Sequence, residues 1–263
     1  QPTLQRNTSD LSKLENLTQP QVKREDTDVI PDMSLMYETS STIYGSCMHS
    51  EFNKVIEYFH AQDYYTMLTT IKFLSPHDVG DILLYKFGCG LAYYKLSKLS
   101  LAAGYFNEYK ELSQANHKTA DVSLAHVYLG DISSMGNEYI TAADHYLKAI
   151  KNYGTNSVGR TFKLVMPTVS TLYAKRGAAL RQASHMAMAV DAFRNAVMEA
   201  EKGKAVCGND KAQWKKDKLS SHNSLGNLLQ SLGDHAGALE ESKPCIELCE
   251  DLKAYVSLGG TQG

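Results

Sequence analysis

Four stretches of this chain repeat one another, and that internal repetition constrains the fold more than any other feature. CGLAYYKLSKLSLAAGYFNEY (Cys89–Tyr109), LGDISSMGNEYITAADHYLKA (Leu129–Ala149), RGAALRQASHMAMAVDAFRNA (Arg176–Ala196) and LGNLLQSLGDHAGALEESKPC (Leu225–Cys245) align without gaps. Each carries a glycine one place in, at Gly90, Gly130, Gly177 and Gly226, and an alanine twelve places later, at Ala102, Ala142, Ala189 and Ala238. Three of them place an aromatic four residues beyond that alanine, at Phe106, Tyr146 and Phe193; the fourth has Ser242 instead. Three places further stand Tyr109, Ala149, Ala196 and Cys245. Two antiparallel helices approach closely only where one presents a Gly and the other an Ala, and an aromatic one turn on fills the gap beside them. The pattern therefore predicts packed helical hairpins.

These residues resemble the tetratricopeptide repeat (TPR) family, which places Gly at repeat position 8, Ala at 20, an aromatic at 24 and a small residue at 27. The likeness covers about residues 83–263. It implies an all-α fold, a right-handed superhelical solenoid of antiparallel helix pairs. LGNLLQSLGDHAGAL (Leu225–Leu239) in addition resembles the Pins/LGN polarity scaffolds, a likeness carried by this one unit. Departures from the pattern are Arg176, where an apolar residue precedes the glycine elsewhere, Ser242, and Pro244 inside the expected second helix, where it removes a hydrogen bond and predicts a kink.

Successive glycines are 40, 47 and 49 residues apart, against about 34 in the standard repeat. The excess is expected in second helices and their loops. Tyr255, Leu258 and Gly259 restart the pattern 33 residues beyond Gly226, so the chain is expected to stop one helix into a further unit. Upstream, Glu51–Ala61 and Tyr64–Leu74 predict a degenerate hairpin ended by Pro76, with Val55 at the glycine's place. The expected organisation is a disordered or extended tail over residues 1–45 and a TPR-like array over 46–263, about five hairpins plus a truncated final helix. Because the chain opens on Gln1 and stops inside a unit, it reads as a piece of something longer.

The tail is rich in Gln, Ser, Thr, Asp and Asn and holds Pro2, Pro20 and Pro31, without an apolar period. Val22-Lys23-Arg24-Glu25 within it resembles a SUMO acceptor motif and is read as a chance match, as are the sequons at Asn7 and Asn16. Twenty-seven Lys plus Arg against 29 Asp plus Glu leave a net charge of −2, so no global field draws the chain to nucleic acid or an anionic membrane. Neither a stretch of about 18–20 apolar residues nor a signal-peptide core is present. Five cysteines, at 47, 89, 207, 245 and 249, form no regular framework, which points to reduced thiols in the cytoplasm, with the nucleus as the alternative.

The TPR resemblance implies a concave groove lined by positions 2, 5, 9, 12 and 13 of each unit. In the first these are Leu84, Phe87, Leu91, Tyr94 and Lys95; in the second Leu124, Val127, Asp131, Ser134 and Met135. The third contributes Thr171, Ala174, Ala178, Arg181 and Gln182, and the fourth Ser220, Asn223, Asn227, Gln230 and Ser231. The lining runs from apolar to amide-rich. Asn223, Asn227 and Gln230, about a turn apart, can donate to and accept from an extended ligand's backbone, and Lys95 and Arg181 can hold its carboxylates. Chaperone-binding TPR domains grip a terminal carboxylate with Lys at position 5 and Asn at position 9; Phe87 and Leu91 stand there instead, so that role is not expected.

Nine scattered histidines show no metal-ligand spacing, Cys245 sits at the small packing position, and His126 and His222 share position 4, where a large side chain packs inside the hairpin. No GxSxG elbow, phosphate loop or dinucleotide fingerprint occurs. Trp214 among Lys211, Lys215, Lys216 and Lys218 is the one run with a nucleic-acid flavour, and it reads as a solvated helix face with the indole packed inward. The expectation is a non-enzymatic scaffold without cofactor, metal or small-molecule substrate, off the membrane and off nucleic acid, binding a peptide or helix of another protein. The alternative is a structural subunit of a large assembly, its groove filled by a neighbour or by its own tail.

Overall fold

A computed structural model describes residues 47–259, apart from 77, 155, 156, 165 and 207–210; inside its helices the side chains of 47–51, 157, 160, 203–206, 211–213 and 250–259 fall outside the description. The described residues all belong to the second of two compact units, Thr42–Gly263. The tail over 1–45, the Val22–Glu25 motif and both sequons lie outside them.

Helices form where the pattern placed them: α1 Cys47–His60, α2 Tyr64–Lys72, α3 Val79–Lys95, α4 Leu99–Ala115, α5 Thr119–Met135, α6 Tyr139–Lys151, α7 Ser157–Thr161, α8 Val169–Gln182, α9 Met186–Val206, α10 Lys211–Ser231 and α11 His235–Gly259. No strand occurs among the described residues. The starts are capped where the sequence offers an oxygen: Asp63 accepts from the Thr66 amide, Asp78 from Asp81, Thr168 from Thr171 and Asp234 from Gly237. The helix ends share one device. In six connections of three residues the middle residue is left-handed, at Gln62, Ser97, His117, Asn137, Ser184 and Gly233. The next amide then reaches back to the carbonyl five residues earlier, as from Lys98 to Tyr93 (2.9 Å), Glu138 to Ser133 (2.8 Å) and His185 to Leu180 (2.9 Å). This closure reverses the chain and sets neighbouring helices antiparallel.

The pairs α1/α2, α3/α4, α5/α6, α8/α9 and α10/α11 pack as hairpins, and each pair packs on the next through α2 with α3, α4 with α5, α6 with α8, and α9 with α10. At the heart of three hairpins the glycines sit against rings. A Cβ on Gly90 would stand 3.0 Å from Phe106, on Gly130 2.7 Å from Tyr146, and on Gly177 3.0 Å from Phe193. Ala102, Ala142 and Ala189 are buried beside them. The upstream degenerate hairpin is present as α1/α2, and Val55 is fully buried at the glycine's place.

The long spacings have two causes. Between Gly130 and Gly177 the excess is an insert over 152–168 that holds the five-residue α7; between Gly177 and Gly226, α9 and α10 each extend to 21 residues. A second helix is thus lengthened, as expected, but so is a first helix. α11 continues across Pro244 as one helix to Gly259, so Tyr255–Gly259 lie on α11 instead of opening a separate helix.

Hydrogen bonds also recur in register. The Ser123 hydroxyl donates to the Ala149 carbonyl (2.7 Å) and Ser170 to Ala196 (2.8 Å), each tying the start of a first helix to the end of its partner. Position 4 carries a polar pair in three units: Lys86 with Glu108, His126 with His145 (2.9 Å) and His222 with Glu241 (2.7 Å).

Candidate functional site

Positions 2, 5, 9, 12 and 13 change character along the array. In the first unit Phe87 and Leu91 are fully buried, Leu84 and Tyr94 are half-buried, and Lys95 alone is exposed. In the second, Leu124 and Val127 are buried, Asp131 and Ser134 are half-buried, and Met135 is exposed. In the fourth, Ser220, Asn223, Asn227, Gln230 and Ser231 are all exposed, and in the third so are Arg181 and Gln182. The apolar end of the expected lining is core, and the amide-rich end faces solvent.

Close hairpin packing buries this end, with Phe87 against Phe106, Tyr109 and Tyr128, and the insert adds to it. From α6 the chain runs back so that α7 packs on α3 and α5. Phe162, fully buried, seats its ring against Phe52 and Phe59 in edge contacts at 5.7 Å and against Phe87 at 5.5 Å. Leu164 and Met166 pack on the same cluster. Gly88 sits against Ile71 and Phe162, leaving no room for a side chain on that face of α3. Phe87 and Leu91 are therefore not surfaces a partner can touch. Tyr94 makes an edge contact with Tyr128 at 5.4 Å, and Leu84 packs at the cluster's margin. Phe162 was missed in the sequence because the repeat pattern says nothing about residues between units; the 47-residue spacing was its only signal.

Asp131 is half-buried and tied: the Tyr146 hydroxyl donates to it at 2.7 Å and the Lys175 ammonium at 2.7 and 2.9 Å. Lys175 also lies over the Tyr146 ring at 5.7 Å. The three residues come from α5, α6 and α8, so the cluster bridges two successive hairpins. Beside it an open cavity of about 330 Å³ is lined by Ser134, Tyr139, Tyr146, Lys175, Ala178, Ala179 and Gln182. Lys175 went unnoticed in the sequence because it stands at position 6, outside the positions attributed to the groove.

On α10, Asn223 and Asn227 are exposed one turn apart, the Asn227 amide reaching the Asn223 oxygen at only 3.4 Å, so both keep most of their bonding capacity. A cavity of about 130 Å³ opens between α10 and α11, lined by His222, Asn223, Gly226, Asn227, Gln230, Ala238, Glu241, Ser242 and Cys245. Arg181 and Gln182, exposed at the end of α8, are the charged and amide groups of the preceding unit.

In the lysine-rich run Lys216 is exposed, whereas Trp214 and Lys218 are packed. The Trp214 indole donates to the Ala200 carbonyl at 2.6 Å, and Lys218 lies over its ring while pairing with Glu201 at 2.7 Å. Neither is free to stack or neutralise a nucleic acid. His126 and His222 are buried at position 4. Burial, then the neighbouring His145, Lys110 and Lys148, lower the His126 pKa to about 4; burial, then Lys148 and Lys110, lower that of His145. Burial pushes the Cys89 thiol up to about 12. Among the described residues no three His, Cys, Asp or Glu side chains gather as a metal site, and no helix is long and apolar enough to cross a membrane.

No protein-family model and no curated protein sequence matches this chain. Solved structures do. MamA RS-1, as the ArsTM double mutant, superposes with a TM-score of 0.59 at 16% identity, over 81% of this chain and 99% of that one. BtubC (BKLC) from P. vanneervenii gives 0.56 at 14% identity over 75% of each chain. The nearly identical TPR-like repeats of a kinesin light chain from Podosopora anserina give 0.55 at 12% identity, over 78% of this chain and 96% of that one. At these identities the likeness is one of fold, and the fold of this chain is a TPR-type solenoid of antiparallel helix pairs.

Proposed function

We propose that the chain is a non-enzymatic protein–protein interaction scaffold whose downstream groove, the exposed faces of α8 and α10, binds an extended peptide segment of another protein. The observation that carries this reading is the contrast between the two ends of one lining. Where the side chains are apolar, at Phe87, Leu91, Leu124 and Val127, they are buried in the chain's own core; where they are Arg181, Asn223, Asn227 and Gln230, they are exposed. Exposed amides aligned on one helix face suit a ligand whose backbone presents donors and acceptors alternately. Arg181 supplies a fork for a carboxylate on that ligand, and Lys95 keeps a cation exposed at the upstream margin. Asp131 serves differently: its carboxylate is committed to Tyr146 and Lys175 and fixes the α5–α8 junction from which Arg181 projects.

The alternative reading, a subunit built permanently into an assembly with its groove filled, draws support from the upstream end, where Phe162 of the internal insert packs on Phe87. The kinship to Pins/LGN scaffolds rests on Leu225–Leu239, and a cytoplasmic setting on the free-thiol reading of the cysteines.

Panning a displayed peptide library against the chain tests the proposal. The expected result is reversible capture of short peptides, reduced at least tenfold by Arg181→Glu combined with Asn223→Ala and Asn227→Ala. Capture unchanged in that triple variant contradicts it.

A further inference from the structure

The α10/α11 hairpin differs from the other three glycine-bearing hairpins at the seat of that glycine. Gly90, Gly130 and Gly177 are each covered by the ring at position 24 of their own second helix, Phe106, Tyr146 and Phe193. At Gly226 the corresponding residue is Ser242, and the nearest groups to a Cβ there are the Glu241 Cβ at 3.4 Å and the Ala238 carbonyl at 3.6 Å. The space a ring occupies elsewhere is the cavity of about 130 Å³ between α10 and α11. A cavity on the order of 150 Å³ is enough to take a benzene ring. Its floor is Gly226 with Ala238 and Cys245, and Asn223, Asn227 and Gln230 form its rim on the groove side.

The surroundings are those of a place normally covered. Position 21 is Ala143 in the second unit, fully packed, and Val190 in the third, packed on the core; position 28 is Ile150 and Val197, also packed on the core. Their counterparts on α11, Leu239 and Ile246, are 61% and 60% exposed. They stand three residues before and four after Ser242, on the side of the helix away from Ala238 and Cys245, and so lie beside the cavity without lining it. The Ser242 hydroxyl is turned to its own backbone, donating to the Leu239 carbonyl at 2.7 Å, and does not fill the space.

We infer that this cleft is a socket for an aromatic side chain, Phe or Tyr, carried by the bound peptide segment. The chain itself shows three times that the Gly–Ala seat of this hairpin is shaped for such a ring, and at the fourth seat the ring must be supplied by the ligand. The inference rests on the downstream groove being the binding face: the rim amides hold the ligand's backbone while the socket selects one of its side chains.

The test uses the whole chain and a probe that fills the socket alone. Backbone-amide NMR titration with N-acetyl-L-tyrosinamide is expected to shift Gly226, Ala238, Ser242 and Cys245, and N-acetyl-L-leucinamide to shift them far less. Ser242→Phe restores the ring of the other units; it is expected to keep or raise the melting temperature and to weaken the tyrosinamide response at least tenfold. Should that variant fold poorly, Gly226→Leu blocks the socket from the facing helix, with the same expected loss. Equal responses to the two amides, no response at Gly226 up to the solubility limit, or responses that survive in a folded blocking variant overturn the socket. Because the small probe does not need Arg181, these outcomes are separate from the fate of the groove. Peptides captured through Arg181 and the asparagines but lacking any aromatic preference sink the socket and leave the groove standing.

Discussion

The glycines at position 8 are alike in sequence and unlike in environment, and that difference sets the sharpest expectation at the level of single residues. Gly130→Ala drives a methyl to within 2.7 Å of the Tyr146 ring, whose hydroxyl is pinned by Asp131 and cannot retreat freely. It is expected to destabilise the fold by about 1–3 kcal/mol. Gly226→Ala meets nothing closer than 3.4 Å and removes a mid-helix glycine, so it is expected to stabilise by up to about 1 kcal/mol. Urea melts of the two variants check both signs. The histidine pair gives a second expectation. With the His126 pKa lowered from 6.5 to about 4, the unfolded chain takes up a proton below pH 6.5 that the folded chain refuses. Stability is therefore complete above that pH and is lost as pH falls toward 4, the His145 shift acting in the same sense. Lys110 and Lys148 add to the effect and Asp144 opposes it at His145. Replacing both histidines with Gln is expected to flatten the melting temperature between pH 6.5 and 4 relative to the parent; an unchanged slope contradicts the assignment.

At the level of elements, the helices and their pairing were legible because the Gly–Ala–aromatic pattern reports a close helix approach directly. The turns were not, since only Gly233 of the six left-handed residues in the three-residue connections is a glycine and the rest are Gln62, Ser97, His117, Asn137 and Ser184. Propensity alone does not mark such residues; the five-back hydrogen bond, repeated at each reversal, holds them there. His117→Gly relieves a left-handed side chain while loosening the unfolded chain, and is expected to raise stability by about 0.5–1 kcal/mol in chemical denaturation. A loss instead would show that the His117 side chain has a part in the α4–α5 junction. Two of the candidate lining residues, Phe87 and Leu91, are buried for a related reason: the repeat marks which residues of α3 stand at positions 5 and 9, and cannot say that Phe162, some seventy residues on, packs on Phe87. Of the downstream candidates, Arg181, Asn223, Asn227 and Gln230 are exposed, and their part in binding is the proposal the peptide library tests.

For the molecule as a whole, the repeated lining has a closed half, buried at Phe87, Leu91, Leu124 and Val127, and an open half at Arg181, Asn223, Asn227 and Gln230. Phe162 joins α1, α3 and the insert into one apolar cluster, so Phe162→Ala is expected to cost about 3–5 kcal/mol and to expose Phe87 and Leu84. Differential hydrogen exchange should then rise in α3 and in the insert and remain unchanged in α10; uniform loosening would mean that the insert is not a local cover. A partner is expected on the open half and not on the closed one. Amide-shift mapping with a peptide selected from the library distinguishes the two. Shifts confined to α8, α10 and the facing part of α11, lost in the Arg181→Glu, Asn223→Ala, Asn227→Ala variant, are the predicted result; shifts centred on α3 and the insert, or binding indifferent to that variant, would contradict it.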